Sequence, residues 1–308
     1  MCTFCPALIK LAQALYAQEV RSYSGGIQII SKGNGIELEI EGVKINLDPR
    51  KKADLSFVSH AHSDHVPSSM DGKVLLSSPT SSLISKSATD PHDFGEHIEI
   101  GPLKLSIIES GHMLGAGQLL IENGMRAVYT GDLNLKGGAT AGKAVVPKCD
   151  VLIIEATYGH PRYNFPERAE VVKEIKDWVD DCLKKNLTPA LLGYSLGKAQ
   201  ELTKYMSSDF PVAVHESIYL NNKKYEELGV DLGEYSLFEG QCDGVAIMPP
   251  AARKTISGED FCFAFTSGWA IHKGARRRYG AESGFLLTDH CGFDDLIEYV
   301  ERADPQMV

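Results

Sequence analysis

The stretch His60-Ala61-His62-Ser63-Asp64-His65 sets four ligand-type side chains in six positions. Alternate residues of an extended backbone point the same way, so His60 and His62 reach toward one point while Asp64 and His65 face a second. Imidazole and carboxylate donors suit zinc, manganese or iron. The lack of cysteine in the stretch argues against a closed structural zinc site, where thiolates are the usual ligands. The sequence ahead of it reads as strands: Ile27 to Ser31, Ile36 to Ile40, Val43 to Leu47 and Leu55 to Ser59 are short apolar-rich pieces separated by turn residues. A strand is therefore expected to run directly into the histidines.

Two later residues have the chemistry to complete a metal centre. They are His112, in Glu109-Ser110-Gly111-His112, and Asp132, in Tyr129-Thr130-Gly131-Asp132. Each stands just past an expected strand (Leu103 to Ser110, Arg126 to Tyr129). Each also follows a glycine, whose missing Cβ lets the backbone turn sharply and bring the side chain over the strand ends. Further strands are expected at Val74 to Leu76, Gln118 to Ile121 and Val151 to Ile154, the last an apolar run of the kind found in a sheet buried on both faces.

The wider sequence bounds what such a centre could serve. A chain of 308 residues, 43% of them hydrophobic, can bury one large α/β domain and a smaller insert. A formal charge of -10 argues against a general polyanion-binding surface, because non-specific nucleic-acid binding depends on Lys and Arg neutralising phosphates. A local basic groove remains compatible with it, and the dense cationic cluster is His272-Lys273-Gly274-Ala275-Arg276-Arg277-Arg278. Seven scattered cysteines form no disulfide framework and read as reduced cytoplasmic thiols; Cys2 and Cys5 make a lone C-x-x-C with no second pair nearby. No apolar run reaches the ~20 residues of a membrane span. Pro6 to Ala17 is interrupted by Lys10 and lacks the basic leader of a signal peptide.

After Tyr158 the pattern changes. A Pro- and aromatic-rich loop opens a helix expected from about Glu167 to Lys185, followed by a strand at Thr188 to Leu192, a helix at Lys198 to Met206, a strand at Val212 to His215 and an irregular stretch ending near Lys254. A strand at Phe261 to Thr266, the basic turn, a strand at Gly284 to Thr288 and a helix at Asp294 to Arg302 close the chain. The expected division is an N-terminal extension over 1–22, a catalytic domain made of 23–160 and 260–308, and an inserted cap over 161–259.

With these ligands in this order, the chain resembles the metallo-β-lactamase superfamily, whose H-x-H-x-D-H loop, later His and later Asp have counterparts in His60, His62, Asp64, His65, His112 and Asp132. The resemblance implies an αβ/βα sandwich, an α/β architecture, carrying two divalent metals, zinc in the first place or manganese. His60, His62 and His112 would hold the first metal, Asp64 and His65 the second, and Asp132 would bridge them. Asp48, in Asn46-Leu47-Asp48-Pro49, matches the acidic residue ahead of the histidine loop and would orient ligands from behind. Two metals roughly 3.5–4 Å apart can hold a bridging hydroxide that attacks a phosphoryl or carbonyl centre.

Ile154-Glu155-Ala156-Thr157-Tyr158-Gly159 is similar to the acidic strand-end motif of the β-CASP nucleases, which implies a small β-CASP-like cap and a role for Glu155 in buttressing a ligand histidine. In the cap, Gly197-Lys198-Ala199-Gln200 is similar to a helix start in the same nucleases, and a helix N-terminus with Lys198 is a candidate phosphate cradle. Ser267-Gly268-Trp269, Arg276-Arg277-Arg278 and Thr288-Asp289-His290 follow in the order of the small-cap ligase-associated exonucleases. That order implies phosphate contacts from Arg276, Arg277 and Arg278, and catalytic duty for His290 alongside Asp64 and Glu155. The implied partner is single-stranded or end-exposed RNA or DNA, with no membrane. Thr-Asp-His stands where Ser-Ala-His is commoner, and no histidine follows His290; either the chain is truncated, or Asp64, His65, Asp132 and water hold the second metal. Two other readings stay open: a small-ester or thioester hydrolase, and a nucleic-acid-binding protein with impaired catalysis.

Overall fold

The computed structural model describes residues 21–22, 27–32, 35–84, 86, 90–256 and 260–308. Most of the extension expected over 1–22, with Cys2 and Cys5, lies outside them. The described chain is mixed α/β, with three sheets in two compact units. The first unit comprises Met1–Gly137, Ala141–Arg162 and Cys291–Val308; the second comprises Gly138–Thr140 and Tyr163–His290.

In the first unit a seven-stranded sheet runs in sequence order: β1 (Arg21–Ser22), β2 (Ile27–Lys32), β3 (Gly35–Ile40), β4 (Val43–Leu47), β5 (Leu55–Phe57), β6 (Lys73–Ser77) and β7 (Asp90–His92). β1 to β4 pair antiparallel and β4 to β7 parallel. β3 and β4 are joined by Glu41 and Gly42, both at positive φ (47° and 79°), the two-residue turn whose twist matches a right-handed hairpin. The second sheet, β8 (Ile98–Ile100), β9 (Leu103–Glu109), β10 (Gly117–Glu122), β11 (Arg126–Tyr129) and β12 (Val151–Ile153), is ordered β12-β11-β10-β9-β8.

Side chains alternate across a strand, so every second residue of each sheet faces one shared core. Leu38, Ile40, Ile45, Leu47, Phe57 and Leu75 from the first sheet pack with Leu103, Leu105, Ile107, Leu119 and Ile121 from the second. Burying each such side chain stabilises the fold by about 1.5–3 kcal/mol relative to exposure. The apolar run at β12 is explained by its two faces: Val151 joins this core, while Leu152 joins another with Leu120, Val128 and the helix Phe293–Ala303 through Leu296, Tyr299 and Val300. The outer edge of β12 is covered by the last residues of the chain, where Leu152 N–H donates to Met307 O at 2.9 Å and Met307 N–H donates to Asp150 O at 3.1 Å.

The second unit has a six-stranded sheet in which every pairing is parallel. Its strands are β13 (Thr188–Leu192), β14 (Val212–Val214), β15 (Ser236–Leu237), β16 (Val245–Met248), β17 (Phe261–Thr266) and β18 (Ser283–Phe285), ordered β15-β14-β16-β13-β17-β18. A parallel sheet must be covered on both faces. Leu191, Val214 and Ile247 pack under the helices Arg168–Lys184 and Lys198–Met206, while Leu192, Met248 and Phe265 look the other way.

The structure departs from the sequence expectation here in two respects. The stretch expected to be irregular holds the helix Glu216–Glu227 and the strands β15 and β16; the helix buries only Ile218, Asn222 and Tyr225, too narrow a stripe to stand out in the sequence. The segment from 260 onward, assigned by sequence to the catalytic domain, pairs through β17 with β13 and through β18 with β17, and the chain returns to the first unit at Cys291. His215 caps the helix that follows it, its Nδ1 accepting from Ser217 N–H at 3.2 Å. Among the described residues no helix is long and apolar enough to cross a membrane.

Candidate metal centre

The histidine loop begins three residues past β5, and Asp48 stands one residue past the neighbouring β4. Asp48 has a positive φ of 41°, a left-handed conformation that Asp tolerates better than most residues. Its buried carboxylate gathers four donors. Oδ1 accepts from Ser59 N–H at 2.7 Å, and Oδ2 accepts from Ser59 Oγ–H at 2.6 Å, His65 Nδ1–H at 2.7 Å and Tyr129 O–H at 2.8 Å. Because the Ser59 hydroxyl proton goes to Asp48, its oxygen is left to accept from His60 Nδ1–H at 2.9 Å. The hydrogen-bond network thus assigns the tautomers: Nδ1 of His60 and of His65 carries a proton toward Asp48 or Ser59, and Nε2 of each faces the opposite way.

Those Nε2 atoms converge with a third. His60 Nε2 and His65 Nε2 each lie 3.5 Å from Asp132 Oδ2, and His112 Nε2 lies 3.7 Å from the same oxygen. His62 closes the group, its Nδ1 standing 3.0 Å from His60 Nε2 and 3.3 Å from His112 Nε2. Asp64 is apart from it, 82% exposed, with Oδ2 3.8 Å from His65 Nε2. The glycines ahead of His112 and Asp132 take up φ of 75° and 53°. Neither has room for a side chain: a Cβ on Gly111 would meet Asn134 O at 2.1 Å, and one on Gly131 would meet Ser59 Cβ at 2.4 Å.

Donor atoms of His60, His62, His112 and Asp132 all lie within 4.8 Å of one another. Ligands about 2.0–2.2 Å from a tetrahedral zinc ion stand roughly 3.3–3.6 Å apart, so separations of 3.0 to 3.7 Å fit a divalent cation among them. Charge points the same way. Burial alone would lower the pKa of His65, but the hydrogen bond to Asp48 and the charges of Asp48, Asp132 and Asp64 outweigh it and push the group up to about 9. A cation bound through His65 Nε2 would have to displace that proton. Burial first, and then the Asp48 charge, hold Tyr129 well above its ordinary pKa, so it stays a neutral donor.

Glu155 lies past β12 and supports the segment that carries Asp132. Its Oε1 accepts from Leu133 N–H at 2.6 Å, and its own N–H donates to Thr130 Oγ1 at 3.2 Å. These bonds go to the backbone and side chain flanking Asp132, beside the histidine-holding role that the family resemblance implies for Glu155. On the other side, Cys291 N–H donates to Leu133 O at 2.7 Å and Cys291 Sγ accepts from Leu135 N–H at 3.2 Å. Cys291 directly follows His290, the last residue of the second unit. Ser59 and Tyr129 are not marked as site residues by the sequence; the one usable signal is that each ends or follows a strand next to a ligand loop.

The remaining candidates lie in the second unit and differ in their exposure. Lys198 is 1% exposed and its ammonium donates to Glu201 Oε2 at 3.1 Å, so it is not presented as a phosphate cradle. The basic turn is a short helix, Lys273–Arg278. Arg277 and Arg278 are exposed, whereas Arg276 is half-buried, its stem so close to Gly284 that a Cβ there would meet Arg276 Cδ at 2.4 Å. Thr288 Oγ1 accepts from His290 N–H at 3.0 Å and donates to His290 O at 3.1 Å.

No family model matches the chain. It is 33% identical over 276 residues to a probable DNA ligase of Opitutus terrae, covering 84% of this chain and 26% of that protein. It is 33% identical over 171 residues to transcription termination factor FttA of a Lokiarchaeum species, covering 50% of this chain and 27% of that one. To RNase aCSPSF2 of Saccharolobus solfataricus it is 30% identical over 128 residues, 40% of this chain and 25% of the relative. The chain thus spans about a quarter of the length of these relatives. Among solved structures, a protein of unknown function from Enterococcus faecalis V583 matches with a TM-score of 0.58 and 13% identity, covering 93% of this chain and 91% of that one, a likeness of fold.

Proposed function

We propose, for a chain that belongs to the β-CASP-like nuclease branch of the metallo-β-lactamase superfamily, that it hydrolyses phosphodiester bonds of RNA or DNA with two divalent metals, as an exonuclease or a 3′-end processing nuclease of the cytoplasm. The observation that carries the reading is the convergence of three imidazole Nε2 atoms on Asp132 Oδ2, at 3.5, 3.5 and 3.7 Å, with Asp48 fixing the far side of the cluster. On this reading the two face-to-face sheets are the αβ/βα sandwich and the second unit is the β-CASP-like cap.

His60, His62, His112 and Asp132 would hold one cation, zinc or manganese; Asp132, His65 and Asp64 would hold the other. Cations there supply Lewis-acid stabilisation of the charge that builds on a phosphoryl oxygen. The protein's part is to keep the imidazoles in the right tautomer through Asp48 and Ser59, and to fix the Asp132 segment through Glu155. His290 is the proposed proton donor to the departing oxygen, which leaves phosphorus poorly as a bare alkoxide. Its chain position supports this: the next residue, Cys291, is bonded to the backbone one and three residues after Asp132. Arg277 and Arg278, on the exposed side of their helix, are the proposed phosphate contacts.

The test is incubation of end-labelled RNA and DNA oligonucleotides with the protein loaded with zinc or manganese. A ladder of shortened products identifies an exonuclease, and discrete internal bands an endonuclease. Turnover of esters or thioesters with no oligonucleotide cleavage would favour the small-ester reading and end this one.

A further inference from the structure

Within the second unit, four charged side chains are linked: Arg168, Lys198, Glu201 and Asp289. Glu201, on the helix Lys198–Met206, accepts from an Arg168 guanidinium N–H and from Ala139 N–H at 3.3 Å through Oε1, and from Lys198 through Oε2. Lys198 Nζ also stands 3.8 Å from Asp289 Oδ2. The side chains of Lys198 and Glu201 are 1% and 6% exposed. A Cβ on Gly138 would come within 2.5 Å of Glu201 Oε1, so the carboxylate is packed as well as paired. Two cations and two carboxylates balance. An ammonium taken from this group for a phosphate would leave a buried carboxylate short of a partner, a change that typically costs several kcal/mol.

The group is also tied to one short segment. Arg168 donates through its other terminal nitrogen to Thr288 O at 2.8 Å, Lys198 faces the Asp289 carboxylate, and the Thr288 hydroxyl bonds both the N–H and the carbonyl of His290. Each residue of Thr288-Asp289-His290 is therefore held by the buried pairs or by its neighbour in the turn. We infer that Lys198 and Arg168, anchored on Glu201, are positioning residues that set the backbone of His290 for proton transfer, and that Lys198 is not a substrate contact. This rests on the nuclease reading for the role of His290; the placement of the segment can be measured without it.

The test uses the full chain, metal-loaded, with an oligonucleotide and with bis(p-nitrophenyl) phosphate, whose leaving group needs no proton. Displacement of a reacting group by about 1 Å can cost 10²-fold, so Lys198→Met should lower kcat on the oligonucleotide by about that factor. Its KM and the salt slope of binding should hold, and the loss on the nitrophenyl diester should be much smaller. Lys198→Arg should recover most of the activity, and amide exchange over residues 288–290 should quicken in Lys198→Met. The charge-balanced pair Lys198→Met with Asp289→Asn should show the same selective loss while relieving the unpaired carboxylate, so that misfolding of the single variant is not decisive. A raised KM and a shallower salt slope with kcat intact would overturn the inference in favour of a phosphate contact. Equal losses on both substrates, unrescued by Arg, would reduce Lys198 to a structural role. If the wild-type protein cleaves neither substrate, the nuclease reading fails on its own; exchange at 288–290 that Lys198→Met leaves unchanged then refutes the positioning role, and faster exchange supports it.

Discussion

The histidine cluster of the first unit and the charged group of the second are both buried and both built from ionisable side chains, yet they are wired in opposite senses. Around Asp132, three imidazole nitrogens lie 3.5 to 3.7 Å from one carboxylate oxygen, and the other ring nitrogens of His60 and His65 are bound to Ser59 and Asp48. The inner atoms of that cluster are of the kind that could hold a metal ion. Around Glu201 each carboxylate faces a protein ammonium or guanidinium. The difference teaches that burial and ionisable chemistry do not define a site by themselves: imidazoles backed by Asp48 and Ser59 crowd several donor atoms of one kind together, whereas around Glu201 each charge stands beside its opposite.

The contrast breaks most decisively at Asp132. Asp132→Ala should lower phosphodiester hydrolysis by more than about 10³-fold, since several kcal/mol of charge stabilisation goes with the metals, and metal content by elemental analysis should fall with it. A folded variant with normal turnover would remove the binuclear assignment. His290→Ala comes next. A positioned general acid contributes about 10²–10⁴ in rate, so oligonucleotide cleavage should fall within that range while the nitrophenyl diester keeps most of its rate. An equal deficit on both substrates, with metal retained, excludes His290 as the acid.

Asp48→Asn probes the outer layer of the cluster. Losing a partner behind a ligand histidine typically costs about 10–100-fold in metal affinity, and competition with a chromogenic chelator would read it. The pH dependence sharpens the same point. In the metal-free chain His65 holds its extra proton up to about pH 9, and a cation must displace that proton. Metal affinity should therefore climb between pH 7 and 9, by up to about tenfold per unit, and level off above. In Asp48→Asn the hydrogen bond and charge that raise the His65 pKa are gone, and the climb should end at lower pH. A pH-independent affinity in the wild-type chain would contradict the role given to His65.

The smallest effect is reserved for the surface cations. Arg277→Ala with Arg278→Ala should reduce the log-log salt slope of single-strand binding by up to ~0.7 for each phosphate that these arginines neutralise. Lys198→Met should leave that slope unchanged. Were the two results reversed, open and closed cations would have been assigned the wrong way round.

What the sequence disclosed follows from locality. The strands that lead into the histidines and the glycines ahead of His112 and Asp132 are read within a few residues, and the structure places β3, β4, β9 and β11 within a residue or so of their expected limits. The partners of Asp48 are another matter. Ser59 is 11 residues away and Tyr129 is 81, and nothing near Asp48 in the chain announces either. Gly197-Lys198 misled for the same reason: a lysine at a helix start reads as open to phosphate until burial and the distant Arg168 and Asp289 are known. The strands β17 and β18 look alike as apolar runs whichever sheet they join, and only pairing with β13 decides it.

The residues that pair with β12 bear on association between copies rather than on chemistry. Met307 bonds to Leu152 and to Asp150, so the last few residues lie along the open side of β12. Unpaired strand edges are templates for association between copies. A chain shortened to Ala303 would uncover that edge beside apolar Val151 and Leu152, and its first symptom would be self-association on concentration, with the metal cluster still intact.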